Sequence, residues 1–265
     1  MTDAGFFGPN SVAWRLHSDP VMLVGGMRAL LVQALEPRAM AAVDQFGKFR
    51  EDPWGRLERT SNFVLATTFG DTATAEAAAA RVRAVHARIH GIDPYTGCAY
   101  SATDPDLLLW IHAVEVESFV IAYRTYAGCL SRADADRYVA EMARVAELVE
   151  LPPAMAPRSM GQINDYLRSV TGLAVTPAAR DGLRTVLAPP MPTVVRPLWV
   201  VPATAAVAIL PGYARRMYRI PWFPPAKLPV RAGVFGLSRL MKSVRPGHPM
   251  VREARERTRH IAAAA

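Results

Sequence analysis

Cysteine is nearly missing from this 265-residue chain: Cys98 and Cys129 are the only two, with 30 residues between them and no CxxC arrangement. That excludes a disulfide framework and fits a reducing compartment, so a cytoplasmic location is expected. Long hydrophobic runs are missing too. The longest, Leu198 to Leu210, is broken by Pro202 and is too short to span a bilayer. The first residues, MTDAGFFGPN, have neither a basic stretch nor an apolar core and do not read as a signal peptide. No GxSxG, GxGxxG, P-loop or HExxH motif occurs, which leaves no support for serine hydrolase, nucleotide-cofactor or zincin chemistry. Acidic residues are scarce at one end. From Arg196 onward there are 13 Arg and Lys against Glu253 and Glu256, so a chain of net charge +8 divides into a front part at −3 and a tail at +11. No recognised nucleic-acid motif accompanies that charge, so nucleic acid is not expected as a partner.

What is present is a globular composition, 51% hydrophobic and 20% charged. No alternation of period two has any length and no internal repeat is found, so the fold class expected is all-α. The expectation is a single large helical domain of nine to twelve helices. It divides into a core over residues 1–195 and a basic, proline-rich extension over 196–265 that packs on it. Helix starts are marked by Ser11, Asp104-Pro105, Ser131 or Asp134, Ser159 and Thr176-Pro177. A helix is expected from Pro20 toward Leu35, and Gly25 and Gly26 within it suit close approach of another helix or of a flat ligand. The last helix is expected over Val230 to Ser243, followed by a charged tail.

The most informative stretch is Asp52 to His90, which reads as two helices joined by a short loop. The first starts at Asp52-Pro53 and places Arg56 and Thr60 on one face with Phe63, Val64 and Thr67. The second is expected from about Thr74 to His90, ending at Gly91. Its apolar stripe of Val82, Val85 and Ile89 encloses His86.

These residues carry a resemblance. Arg56-x-x-Arg59-Thr60, then Phe69-Gly70, then Arg83-x-x-His86-Ala87-x-x-His90 resemble the catalytic domain of the latex-clearing-protein (rubber oxygenase) and MpaB-like oxygenases. The resemblance implies an all-helical fold with a globin-like core around haem b. It also implies His86 as proximal iron ligand, Arg56 and Thr60 close to the haem, and Arg59 on the distal side, where the rubber-cleaving members have lysine. Leu35-Glu36-Pro37 stands where many relatives read Leu-His-Pro.

The expected activity is then a haem-dependent oxygenase or oxidase that uses O₂ on an apolar, unsaturated or isoprenoid-like substrate. The competing reading is a non-catalytic helical protein that binds a hydrophobic ligand without metal. The candidate catalytic residues are Arg56, Arg59, Thr60 and Glu36, the last as a proton acceptor or else an ion-pair partner of Arg38 or Lys48. The candidate cofactor residues are His86, Arg56 and His112. A neutral imidazole suits iron and a guanidinium suits a propionate. His112 lies on the apolar face of the Asp104 helix with Glu115 one turn on, and is either a rival ligand or a hydrogen-bonded core residue. His90 reads as a cation at a helix end. Finally, the basic tail interleaved with Trp199, Tyr213, Tyr218, Trp222 and Phe235 predicts association with an anionic membrane surface without spanning it.

Overall fold

Helix starts in this chain are decided by the local chemistry of capping, and the structure shows it. In this computed structural model, which describes residues 3–221, 227–244 and 248–264, side-chain oxygens of Ser11, Glu36, Asp52, Asp71, Asp104, Ser131, Ser159 and Thr176 each accept an N–H of the following first turn. The helices so started are α1 (Val12–His17), α3 (Pro37–Phe46), α4 (Pro53–Phe69), α5 (Thr72–His86), α6 (Pro105–Tyr126), α7 (Arg132–Leu148), α8 (Met160–Ser169) and α9 (Pro177–Leu187). The others are α2 (Met22–Gln33), α10 (Arg196–Ala208), α11 (Gly212–Tyr218), α12 (Lys227–Val244) and α13 (Pro249–Ala264). The fold is all-α, with thirteen α-helices among the described residues rather than nine to twelve. Trp222, Pro224, Pro225 and Pro246 lie outside the described residues.

Two expectations need correction. Although no period-two alternation announces a strand, β1 (His90–Ile92) and β2 (Ala99–Ser101) form an antiparallel hairpin, with Gly91 opposite Tyr100. Buried Asp93 holds its turn by accepting from the backbone N–H groups of Tyr95 and Thr96. This pairing ends α5 at His86, one turn earlier than expected, and puts His90 in an exposed strand instead of at a helix end. The charged tail is helical, because Val251 and Ala254 share one face of α13 and enter the same core cluster as Trp14 and Phe69.

The centre of the molecule is α2 laid against α6. Gly25 permits it: a Cβ there would come within 2.6 Å of Phe119 Cδ1, so helix packing is the use of this glycine, while Gly26 faces open space. Beside it the fully buried Arg28 donates to Ser118 Oγ (2.5 Å) and to Ile209 O (2.9 Å) and pairs with Glu117 (2.9 Å). These contacts tie α2, α6 and the end of α10 together, and Tyr218 of α11 adds a bond to Leu31 O at 2.8 Å. Ala203, Ala205 and Ala206 of α10 share a core cluster with Val21, Val24 and Met27, and Ala214 and Tyr218 of α11 share one with Leu31, Leu35 and Trp110.

Candidate functional site

The helix pair α4–α5 carries the expected site, and its two ends differ. At the elbow, Gly70 and Asp71 join the helices, and Thr67, Thr68 and Phe69 are buried. Trp14 Nε1 donates to Thr68 O (2.9 Å), Arg257 donates to Phe69 O (2.6 Å), and the Asp3 carboxylate accepts from Thr72 N (2.6 Å). Behind the elbow, His17 is buried between Thr68 Oγ1 (2.7 Å from Nδ1) and Tyr138 Oη (2.8 Å from Nε2). Burial holds the His17 imidazole neutral, with a pKa lowered to about 3. Nothing in the sequence marks His17 beyond a histidine inside a short apolar helix.

The far ends are less enclosed. At 1.5 Å per residue, Arg56 and His86 each lie roughly 20 Å along their helices from the elbow. His86 is half-buried, with its pKa lowered by burial against an opposing pull from the Glu150 carboxylate. The expected stripe is only partly enclosed, since Val82 and Ile89 are half-buried but Val85 is exposed. Arg83, one turn before His86, fastens this end of α5 to the end of α7: its Nη1 donates to Leu148 O (2.6 Å) and its Nε sits 3.7 Å from Glu150. The Arg-x-x-His spacing was visible in the sequence. What it anchors to was not.

Arg56 is half-buried over Gly47, where any Cβ would collide with its Nη1. Burial, with Arg59 beside it, lowers its pKa, and among the described residues it has no acidic partner. Leu57, Phe63 and Val64 on the same helix are also half-buried. Arg59 and Thr60 are exposed. Arg59 pairs with Asp52 at 3.1 Å, and the Thr60 hydroxyl donates to Arg56 O at 3.0 Å. Trp54 at the start of α4 donates to Pro190 O (2.7 Å) and meets Trp199 edge-on, so this end leans on the proline-rich connector.

Glu36 does not stand free as a proton acceptor. One oxygen caps α3 through Ala39 N (2.5 Å) and the other takes Arg38 Nε (2.9 Å), which is the ion-pair reading. His112 is buried on α6, and its Nε2 has no hydrogen-bond partner among the described residues. Among the described residues no hydrogen bond joins it to Glu115 or to a loop carbonyl. Burial lowers its pKa to about 4 and raises that of Glu115 to about 7. Glu115 lies near Tyr138, whose phenol its charge pushes further up. Among the described residues, no hydrogen bond or ring contact joins His86, Arg56 and His112 to one another, and no three His, Cys, Asp or Glu side chains converge to hold a metal ion by themselves.

The fold and site define an all-α domain in which one helix carries a half-buried histidine and its neighbour a half-buried arginine that has no acidic partner among the described residues. Residues 14–256 match the family model described as ER-bound oxygenase mpaB/B′/Rubber oxygenase, catalytic domain, and the chain belongs to that family. No curated protein and no solved structure matches it.

Proposed function

We propose that this protein is a haem b-dependent oxygenase that acts with O₂ on an apolar, unsaturated or isoprenoid-like substrate, with His86 holding the iron. The observation that carries the reading is Arg56: a half-buried guanidinium without an acidic partner among the described residues, on the helix joined by the elbow to the one that carries the half-buried His86. A buried cation is costly without a counter-charge, so this one suits an anionic group supplied by a ligand. A haem propionate is such a group. The donor set fits as well, because a porphyrin brings four of its iron's ligands and asks the protein for one.

When bound, haem supplies an iron centre that can take up O₂. The chain's own residues would do the rest. His86 offers a ring nitrogen whose pKa burial lowers, which favours the form with a free lone pair, and the Arg83 anchor fixes the helix that carries it. Arg56 orients the cofactor through its carboxylates. Thr60, one turn on, keeps an acceptor lone pair free beside the site. Arg59 reaches it by exchanging Asp52 for a ligand, at small cost, since exposed ion pairs are worth about 0–1 kcal/mol. Leu57, Phe63, Val64 and Val82 supply apolar surface for a substrate without charge. His112, neutral and with an open Nε2, is the second histidine available to the cofactor or substrate. Glu36 has no part, its oxygens being engaged.

The test is the purified protein after haem-supplemented expression. A Soret band with about one iron per chain is expected. Colourless, iron-free protein would overturn the reading in favour of a helical binder of a hydrophobic ligand.

A further inference from the structure

Helix α12 is apolar on two sides. Its inner face, with Val230, Val234, Leu237 and Met241, packs against Val21, Val24 and Val201. Its outer face still carries Leu228, Phe235 and Leu240, which are 77%, 54% and 54% exposed. The neighbouring start of α10 and the turn before it add Val194, Leu198 and Val200, exposed by 84%, 58% and 59%. With Val195 in the same turn, seven of the twelve large apolar residues exposed among the described residues thus sit on α12 or at the start of α10. Single exposed apolar side chains need no explanation, but a concentration of this kind marks a contact surface.

The charge around them has one sign. From Gly182 to Arg252 the sequence contains no Asp or Glu and eleven Arg and Lys. Exposed Arg196 stands among the α10 residues. On α12, Arg231 and Arg239 lie on the outer face with Leu228 and Phe235, Arg239 stacked over the Phe235 ring at 5.5 Å. Among the described residues neither has an acidic partner, whereas Lys242 is held by Asp19 at 2.7 Å. A groove of about 370 Å³ between α12 and the end of α6 is lined by Leu228, Arg231, Ala232 and Phe235 on one side and by Tyr126, Ala127 and Gly128 on the other.

We propose that the outer face of α12, with the start of α10, docks on an anionic lipid surface, placing Leu228, Phe235 and Leu240 among the lipids and Arg231, Arg239 and Arg196 at the headgroups. Charge complementarity selects this occupant. A second copy would bring an equally cationic face and be repelled. A nucleic acid would match the arginines but would leave the aliphatic residues in water. Docking is lateral rather than spanning: no single helix among the described residues is long and apolar enough to cross a bilayer. The one pair that qualifies together, 193–208 with 212–218, is bent by 116° and buries Ala203, Ala205, Ala206, Ala214 and Tyr218 in the body. Of the aromatic residues read from the sequence as membrane contacts, Tyr218 is buried and Trp199 and Tyr213 are half-buried. Among those described only Phe235 is exposed, and aliphatic residues take the others' place.

The test uses the full chain and vesicles of phosphatidylcholine alone or with phosphatidylserine. Binding is expected only with phosphatidylserine, and lost at high salt. Arg231→Glu and Arg239→Glu should each weaken it at least about fivefold, the factor for one surface cation. Phe235→Ser with Leu240→Ser should weaken it further while the helical circular dichroism is kept. Phe235→Trp, which disturbs no contact in the core, should show a blue-shifted emission on adding anionic vesicles and none with neutral ones. Equal recovery on both vesicle types, an emission of the Phe235→Trp variant unchanged by anionic vesicles, a dimer abolished by the Phe235 and Leu240 changes, or binding of duplex DNA indifferent to those changes would each overturn the proposal.

Discussion

His17 offers a quantitative check on how the helix pair is held. Its two ring nitrogens lie 2.7 Å from Thr68 Oγ1 and 2.8 Å from Tyr138 Oη, all three groups being buried. In the neutral ring one nitrogen carries the proton and donates to its facing hydroxyl, while the other accepts from the hydroxyl on its side. That satisfied, neutral ring cannot be protonated without losing a bond, and its pKa falls from 6.5 to about 3. The sign follows: the unfolded chain takes up a proton below pH 6.5 and the folded chain does not, so stability present above pH 6.5 is lost as pH falls toward 3. At pH 5 the loss is about 2 kcal/mol, a sizeable part of a typical 5–15 kcal/mol. Urea unfolding of the wild type and of His17→Gln at pH 7.5, 6.0 and 5.0 isolates it, because the other titrating groups are common to both. The wild type should be more stable by about 1–3 kcal/mol at pH 7.5, from the buried bonds, and that advantage should shrink by about 2 kcal/mol at pH 5.0. An advantage independent of pH would refute the buried neutral imidazole.

Three further outcomes are expected. His86→Ala should lose haem during purification while His112→Ala retains it with an altered spectrum, read from the Soret band and iron content. Exchange of the two phenotypes would move the iron to His112. Arg56→Ala should weaken haem retention by roughly 1.5–3 kcal/mol, the scale of a charge-assisted hydrogen bond, measured by competition with apomyoglobin. Glu115→Gln should stabilise the haem-free protein increasingly as pH rises from 4.5 through 7, because the folded carboxyl titrates near 7. The ceiling is about 3 kcal/mol, lowered by the water that the half-buried side chain still meets, and equal pH profiles would count against it.

What could be read from the sequence was what is decided locally. Asp52-Pro53, Asp104-Pro105 and Thr176-Pro177 marked their helices because cap and proline act within one turn. The end of α5 could not be read this way, since it is set by pairing His90–Ile92 with residues nine positions on. Helix α13 escaped because two small apolar residues among many arginines make a weak stripe, and only the elbow of α4–α5 makes them core. In the site, order and spacing picked out Arg56 and His86. Exposure is tertiary, and it separated half-buried Arg56 from exposed Arg59 and Thr60, which the sequence grouped together. Glu36 looked free because its sequence neighbours do not reveal that it caps α3.

The contrast between the two ends of the α4–α5 pair has a mechanical reading. The elbow is fixed by bonds from three separate parts of the chain: Asp3, Trp14 and His17 of α1, and Arg257 of α13. Each such bond contributes on the order of 1 kcal/mol, and together they hold the helices' relative angle. Roughly 20 Å away a small change of angle becomes a large change of separation, so an elbow fixed this firmly is what keeps His86 and Arg56 in register. The far end is held differently. Trp54 rests on Pro190 and Trp199, Arg83 rests on Leu148, and the segment between, from Glu58 to Asn62, is exposed. On the proposed haem reading, fixing the angle at one end and tethering each helix separately at the other would let a flat cofactor enter without breaking either anchor. Loosening the elbow by Trp14→Phe, which deletes the bond to Thr68 O, should therefore reduce haem retention more than its effect on urea stability accounts for. Retention that falls only in proportion to stability would mean that the elbow does no more than hold the fold.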